Sequence, residues 1–207
     1  MPLDVPIERA RIVAFDCETT GLDPRRDRIV SLAALPIESG ECLFDRAIDR
    51  LIDPGRPIPE RSTAVHGIFD RDVAGAAHFA DAFPELDAAL ANAALLGHEI
   101  GFDAAMIRRE AHLAQLPWVT PPTLDTLLLF SATSPDSTDL RLEAIAECLG
   151  VAIHGRHTAL GDARAAAEIF LRLLPTLRAR GASTLSDLLA LCQEQHRVLR
   201  LRMGPRW

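Results

Sequence analysis

The chain of 207 residues contains no lysine and no tyrosine, so its 22 basic side chains are all arginines. Planar guanidinium groups form paired hydrogen bonds with phosphate, although genome composition alone also explains this bias. Cysteine is scarce as well. Its four residues, Cys17, Cys42, Cys148 and Cys192, lie far apart, which argues against a zinc knuckle, a redox pair and a disulfide framework.

Long apolar runs are also absent from the sequence. No segment approaches the ~18 apolar residues that a membrane-spanning helix needs. Proline and acidic residues interrupt the first twelve positions, which is unlike a signal peptide. We therefore expect a cytoplasmic protein with no membrane partner.

Acidic residues outnumber basic ones, 29 to 22, giving a formal net charge of −7. This balance argues against a protein that coats nucleic acid by bulk positive charge. It does not exclude a nucleic-acid enzyme, because carboxylates gathered around divalent metal ions carry negative charge that the ions neutralise.

Apolar periodicity indicates an α/β fold. Residues 11–18, 28–37 and 41–52 predict three strands joined by short turns, which favours an antiparallel meander, and residues 93–97 predict a further short strand. After residue 60 most apolar positions recur at helical spacing. Strands first, then helices interleaved with a short strand, predict a mixed sheet with helices on its faces.

No repeat, low-complexity linker or boundary interrupts the chain, so residues 1–207 are expected to form a single domain. Residues 182–207 are expected to form its C-terminal helix and basic tail, and Thr184 to Asp187 resemble a capping box. The arginine-rich tail, which ends in Trp207, is open to three interpretations. It docks a protein partner, binds a nucleic-acid strand or covers an apolar patch.

Two carboxylates stand together at the end of the first predicted strand. Asp16 and Glu18 are two positions apart, so their side chains point to the same side. Unpaired carboxylates on an apolar strand are costly, which makes a hard divalent cation a natural partner. The alternative is a solvated strand end.

Two further acids stand where helices are predicted to begin, on the faces that pack inward. Asp103 and Asp162 each fit this description, and each is also a plausible helix N-cap. His98 and His157 precede them at short range. Histidine, with an unperturbed pKa of about 6.5, suits general-base catalysis near neutrality.

Four segments together carry a family resemblance: residues 15–22 (FDCETTGL), 66–68 (HGI), 97–103 (GHEIGFD) and 155–163 (GRHTALGDA). In order and spacing they resemble the three motifs and the intervening substrate loop of the DEDDh 3′–5′ exonucleases. This family includes the epsilon proofreading subunit of bacterial DNA polymerase III. The tyrosine variant of the superfamily is excluded, because the chain has no tyrosine.

The resemblance implies an RNase H-like fold, with a mixed five-stranded sheet flanked by helices. It also implies a two-metal-ion site for Mg²⁺ or Mn²⁺. Asp16, Glu18 and Asp162 would ligate one ion, with Asp16 bridging to the second. Asp103 would hold the second ion mainly through water, and His157, on the loop before the Asp162 helix, would be the general base.

The resemblance assigns the terminal nucleotide to a further set of residues. The backbone at Thr19 and Gly21, together with Leu22 and His66, would hold it. Phe102 would pack near its sugar or base. The product would be a nucleoside 5′-monophosphate.

One position departs from the family pattern. Glu99 stands where family members commonly have asparagine. The extra carboxylate either repels the substrate strand, recruits a cation or points to solvent, and these alternatives leave the role of His98 open as well.

The resulting hypothesis is a metal-dependent exonuclease acting on single-stranded or frayed 3′ ends. DNA is preferred as substrate because the third motif resembles the epsilon-like branch, and RNA or short oligoribonucleotides are the alternative. A catalytically degenerate protein-binding module is a remote alternative, because all four carboxylates and the histidine are present.

Overall fold

The strand β1 (Ile12–Thr19) runs through the middle of the sheet in the computed structural model, which describes residues 2–203. Its first four residues are buried on both faces, and Asp16 and Glu18 are less so. Side chains that are apolar on both faces favour a central position in a sheet that is covered by helices.

Within residues 2–203 six strands form one mixed sheet: β1, β2 (Ile29–Glu38), β3 (Glu41–Cys42), β4 (Ile48–Leu51), β5 (Ala94–Gly97) and β6 (Thr123–Asp125). The strand order is β3-β2-β1-β5-β6, and β4 also pairs with β2. The pairs of β2 are antiparallel, as expected for a meander, whereas β5 pairs in parallel with β1 and β6. The α/β, RNase H-like fold class is confirmed.

The strand count differs from the expected five because the third predicted strand is interrupted. Residues 41–52 form β3 and β4, separated by a 3-10 turn at Phe44–Arg46. Opposite the interruption lies Pro36 of β2, which has no N–H and contributes only its carbonyl, accepting from the Leu43 N–H at 2.9 Å. A proline removes the donor that a continuous ladder needs.

Eight α-helices are present within the described residues: α1 (Glu60–His66), α2 (Asp70–Val73), α3 (Phe79–Leu90), α4 (Gly101–Leu113), α5 (Thr126–Thr133), α6 (Leu142–Leu149), α7 (Ala159–Ala179) and α8 (Leu185–Met203). The expected helices are confirmed, and β6 and α5 are additional. Pattern analysis misses this pair because β6 has three residues after two prolines and the apolar residues of α5 show no clear face.

The two faces of the sheet carry separate cores. Ile12 and Ala14 of β1 pack with α7 on one face. Val13, Phe15 and Cys17 pack with α3 and α4 on the other. Side-chain alternation along β1 therefore directs Asp16 and Glu18 toward the α7 face.

The predicted capping box begins α8. The Asp187 carboxylate accepts from the Thr184 N–H at 2.8 Å, and the Thr184 hydroxyl accepts from the Asp187 N–H at 3.2 Å. The part of the predicted tail up to Met203 continues this helix, and Arg206 and Trp207 lie outside the described residues. None of the helices between residues 2 and 203 has the length and apolar character to cross a membrane.

A buried ion pair fixes α4 against the sheet. The Glu110 carboxylate, with 1% of the residue exposed, accepts from Arg28 Nε at 2.7 Å and from the second guanidinium nitrogen at 2.9 Å. It also accepts from the Ile29 N–H at 3.1 Å, at the start of β2. Because α4 carries Asp103, this contact holds one candidate site residue at a set distance from the sheet.

We expect Glu110→Ala to lower the free energy of unfolding by about 1–3 kcal/mol, because it leaves the buried Ile29 N–H and the partly exposed Arg28 guanidinium without their acceptor. Chemical denaturation measures this change. The matched control is Glu85→Ala, which breaks the exposed Arg50–Glu85 pair and should cost less than about 1 kcal/mol. Equal losses in the two variants would contradict the assignment.

Candidate active site

Asp16 and Glu18 lie on the part of β1 that extends beyond its parallel neighbour. The β1–β5 ladder pairs only as far as Ala14, whereas β2 pairs with β1 up to Thr19. A register shift between Glu18 and Thr19 marks a bulge at this end. Bulges of this kind re-aim side chains and are frequent beside active sites.

Asp162 reaches the same end of β1 from α7. Thr158 is the N-cap of this helix, and its hydroxyl accepts from the Gly161 N–H at 3.1 Å, so Asp162 lies in the first helical turns and is not the cap. A Cβ on Gly161 would overlap the backbone carbonyls of His154 and Gly155. The glycine therefore permits the close approach that places the preceding loop against the carboxylates.

The three carboxylates meet. Asp16, Glu18 and Asp162 each contribute one oxygen, and these atoms lie within 4.8 Å of one another. Asp162 Oδ1 is buried and has no hydrogen-bond partner among residues 2–203. An oxygen-only donor set with an unsatisfied buried oxygen fits a hard divalent cation such as Mg²⁺ or Mn²⁺.

Asp103 approaches from the opposite face of the sheet. It lies in the first turn of α4, is 5% exposed, and is not the N-cap, which is Ile100. Its Oδ1 accepts from the Cys17 N–H at 3.0 Å. That N–H lies where β5 has already ended, so the carboxylate replaces a missing ladder partner between Asp16 and Glu18. Asp103 is not one of the three clustered ligands, but it borders the same cleft.

Burial and mutual repulsion raise the pKa values of this group. Desolvation is the largest cause in each case, followed for Asp16 by the charges of Asp103 and Asp162. The pKa rises to about 7 for Glu18 and to about 7 for Asp103. The pKa of Asp162 is also raised, with Arg156 opposing the shift. Bound cations would relieve the repulsion.

Arg156 is a charged neighbour to which the sequence analysis assigned no role. Its guanidinium forms an ion pair with Asp162 Oδ2 and a second one, at 2.5 Å, between Nε and Glu143 Oε1 of α6. Asp162 Oδ2 also accepts from the His157 N–H at 3.2 Å, which leaves Oδ1 for the cluster. Arg156 lies inside the third motif, next to His157, and that position was the signal available in the sequence.

The two histidines of the motifs have different surroundings. His157 is half-buried in the loop before α7, has a left-handed backbone with φ of 62°, and lines the cleft. His98 Nδ1 lies 3.1 Å from the Thr126 hydroxyl. Burial, reinforced by the charge of Arg156, lowers the pKa of His98 to about 4. A group with that pKa is a weak base, so His157 is the better candidate for the general base.

A cleft of about 1080 Å³ contains the carboxylates and both histidines, with Phe102 and Leu22 on its walls. A neighbouring cavity of about 700 Å³ shares Glu18 and Leu22 with it. Thr19, Gly21 and His66 line this second cavity, so all five predicted substrate residues border one of the two spaces. Leu22 is 87% exposed, which leaves its side chain free to contact a ligand.

His66 presents a free donor at the second cavity. It is 8% exposed, and its Nδ1 accepts from the Ile68 N–H at 3.0 Å, which places the proton on Nε2. That nitrogen is buried and has no partner at full hydrogen-bond geometry among the described residues; the nearest acceptor, the Thr19 backbone, only partly offsets the lowering of the His66 pKa by burial. A buried unsatisfied N–H beside a cavity is typical of a group that bonds a ligand.

A network of hydrogen bonds holds the loop that carries Leu22. The Asp27 carboxylate accepts from the Thr20 hydroxyl and from the Asp23 N–H, both at 2.9 Å. A Cβ on Gly21 would lie 2.5 Å from the nearer Asp27 oxygen. A larger residue at this position would therefore displace the Asp27 carboxylate from its hydrogen bonds.

Glu99 lies on the rim of the cleft. It has a left-handed backbone, with φ of 55°, and its N–H donates to Asp125 Oδ1 at 3.1 Å. Its side chain is exposed, so the interpretation that it points to solvent is compatible with its position. Asp125 adds a second acid to this side, and burial raises its pKa to about 6. Asp125 was missed because β6 is too short to give a strand pattern.

Residues 13–170 match the RNase T family, which is described as an exonuclease family. The chain belongs to this family. Its motif carboxylates and histidine are those of the DEDDh 3′–5′ type.

Two relatives are longer proteins that match this chain over only part of their own length. A DNA polymerase III subunit epsilon-like protein of Rhodobacter capsulatus is 40% identical over 95% of this chain and 28% of its own length. A PolC-type DNA polymerase III of Thermotoga petrophila is 31% identical over 89% of this chain and 13% of its own length. The chain thus spans about a quarter or less of these relatives.

Solved exonuclease structures share the fold. Exonuclease X, in a complex with 5′ overhanging duplex DNA, has a TM-score of 0.70 and 20% identity, covering 87% of this chain and 99% of that one. E. coli Exonuclease I, in a complex with a dT13 oligonucleotide, has a TM-score of 0.69 and 17% identity, covering 82% and 44%. At these identities the similarity shows a shared fold and nothing further.

We expect Glu18→Gln to stabilise the metal-free protein at pH 8. The folded pKa of about 7 lies above the ordinary value of 4.5, so the charged carboxylate opposes folding above pH 7, and this penalty disappears as the pH falls to about 4.5. Allowing for solvent screening, the gain is about 1–2 kcal/mol. Chemical denaturation in EDTA at pH 5 and pH 8 measures it.

The matched control is Glu147→Gln, which removes an exposed carboxylate from α6 and should change little. A Glu18→Gln protein that is no more stable than wild type at pH 8 would show that repulsion at the cluster is already relieved without metal.

Proposed function

We propose that the chain is a metal-dependent 3′–5′ exonuclease that releases nucleoside 5′-monophosphates from the 3′ end of DNA. The observation that carries the proposal is the convergence of Asp16, Glu18 and Asp162, each with one oxygen within 4.8 Å of the others. The same cleft holds Asp103 and His157. A protein-binding module derived from a nuclease has no need to keep this costly cluster.

The carboxylates would hold two divalent cations, Mg²⁺ or Mn²⁺. Asp16, Glu18 and the free Oδ1 of Asp162 would ligate one ion, with Asp16 shared with the second. Asp103, which is already bonded to the Cys17 N–H, would hold the second ion mainly through water. When bound, such a pair of ions activates water and stabilises the leaving oxygen of an in-line displacement.

His157 would accept the proton of the attacking water. Its loop is held by Asp162 Oδ2, which binds the His157 N–H, and by the Gly155–Gly161 close approach. These contacts keep the backbone in place while leaving the half-buried ring at the cleft. Arg156 would orient Asp162 by occupying Oδ2.

The second cavity would receive the terminal nucleotide. The buried His66 Nε2–H is available to an acceptor on the sugar or phosphate, and Leu22 is exposed for contact with the base. Phe102, on the cleft wall, would pack against the sugar. The backbone at Thr19 and Gly21 completes the lining.

Two kinds of similarity support DNA as the substrate. The relatives are named as DNA polymerase III proteins, and the similar solved exonucleases include complexes with DNA. RNA of the same polarity remains the competing substrate. We further propose that residues 1–207 act as one exonuclease domain, in which α8 is the C-terminal element.

Degradation of matched 3′-labelled substrates tests the proposal. We expect purified protein with Mg²⁺ or Mn²⁺ to degrade single-stranded DNA and frayed or mismatched 3′ ends, with short RNA degraded more slowly. Asp16→Ala should lose essentially all activity, because it removes the ligand shared by both ions. Wild-type rates in this variant, or equal rates on strands whose 3′ end is blocked, would refute the proposal.

His157→Ala should retain metal binding but lose activity. The substitution removes the general base and leaves all four carboxylates, so kcat should fall by about 10²–10⁴-fold while calorimetric metal titration stays near wild type. His98→Ala is the comparison, since the low pKa of His98 makes it a poor base. A kcat for His157→Ala within about threefold of wild type would remove the histidine from this role.

A further inference from the structure

The C-terminal helix α8 reaches the cleft, although neither the motifs nor the proposed chemistry uses it. His196 lines the same cleft as the carboxylates, together with Leu128 of α5 and Leu142 of α6. Its side chain is exposed. The family match ends at residue 170, before α8 begins, so this wall of the cleft lies outside the matched segment.

The end of α8 is anchored. Cys192 and Leu199 are both 5% exposed and pack into the core on the α7 face. Beyond them, Arg202 donates to the Pro135 carbonyl at 3.3 Å. The helix therefore stays against α5 and the loop after it for a full turn past His196.

One flank of α8 carries both His196 and an uncommitted arginine. Arg200 is four positions after His196, so the two side chains are neighbours on the same side of the helix. Arg200 is exposed and forms no ion pair or side-chain hydrogen bond within residues 2–203. By contrast, Arg197 is committed to an ion pair with Glu194 at 2.7 Å.

The charged residues that line the cleft are mainly acidic, so the cleft repels a phosphate. Its floor and rim carry Asp16, Glu18, Asp103, Asp162, Asp125 and Glu99. Arg156, the arginine that lines the cleft, is already paired with Asp162 and Glu143. A strand leaving the catalytic end would therefore meet carboxylates. On α8, His196 lines the cleft and Arg200 lies about one helical turn farther along the same helix.

We propose that His196 and Arg200 bind backbone phosphates of the nucleic acid just upstream of the terminal nucleotide. The proposal rests on the exonuclease function above and adds a subsite to it. Contacts of this kind bind backbone phosphates whatever the base sequence. The terminal nucleotide would be bound separately, in the second cavity. The phosphate contacts therefore strengthen the binding of oligonucleotides and do not affect the cleavage of a substrate that has no upstream phosphate.

Two substrates separate the subsite from the catalytic centre. One is a 5′-labelled 12-mer, as DNA and as RNA, and the other is the p-nitrophenyl ester of thymidine 5′-monophosphate, which has no upstream phosphate. We expect Arg200→Ala and His196→Ala to lower kcat/KM on the 12-mer by about 5–10-fold, the loss of one solvent-exposed hydrogen bond. On the ester both variants should match wild type.

Salt dependence and a matched variant give independent readouts. For Arg200→Ala the slope of log(kcat/KM) against log[salt] on the 12-mer should fall by about 0.7, the value for one phosphate contact on a single strand. Arg197→Ala, which removes an arginine of the same helix that is already paired with Glu194, should leave both the slope and the rate unchanged. Thermal unfolding checks that α8 remains folded in each variant.

The outcomes distinguish the subsite from the function on which it rests. If wild-type protein cleaves neither substrate, the exonuclease function itself fails. If it cleaves both, and Arg200→Ala equals wild type on the 12-mer or Arg197→Ala falls as far, then this flank of α8 is not a phosphate subsite.

Discussion

Repulsion among buried carboxylates at the end of β1 is the constraint on which the site depends. Asp16, Glu18 and Asp162 share a space in which burial and the charges of Asp103, Asp162 and Glu18 raise the pKa of Asp16, and burial and the charge of Asp162 raise that of Glu18. Such a cluster lowers the stability of the metal-free protein. The cost is partly offset by the guanidinium of Arg156 and by backbone N–H groups from Cys17 and His157.

The scaffold around the cluster holds groups that would otherwise move apart. β1 extends beyond the end of β5, so the Cys17 N–H donates to Asp103 in place of a strand partner. The bulge after Glu18 turns the chain toward the loop that carries Leu22. On one face, the Arg28–Glu110 pair holds α4. On the other, Gly161 lets α7 and its preceding loop approach closely. Each contact opposes a displacement that the repulsion favours.

Much of this arrangement follows from local sequence pattern, and the part that does not has an identifiable cause. Period-two alternation places Asp16 and Glu18 on one side of a strand, and helical periodicity places Asp103 and Asp162 on inward faces. Their convergence was expected from the family resemblance, because periodicity carries no information on which strand end meets which helix. The N-cap interpretation of the two aspartates was wrong, since Ile100 and Thr158 hold those positions.

Contacts between distant segments are the part that local pattern could not supply. Arg28 and Glu110 are 82 positions apart, and nothing in either segment points to the other. Arg156 was visible inside a motif, but its pairing with Glu143 depends on how α6 packs. The split of the third strand was a missed local signal, because Pro36 stands in the strand that faces it.

The acidity of the cleft links metal binding to substrate binding in the proposed enzyme. Phosphates approaching Asp16, Glu18 and Asp162 are repelled until cations neutralise these groups, so each ligand raises the affinity for the other by the same factor. The net charge of −7 works in the same direction, because no general positive field attracts a strand to the surface. Selection of a strand end then depends on the few groups that contact it directly. Glu99 and Asp125 lie outside the central cluster, so their repulsion of a strand persists after the central carboxylates are neutralised.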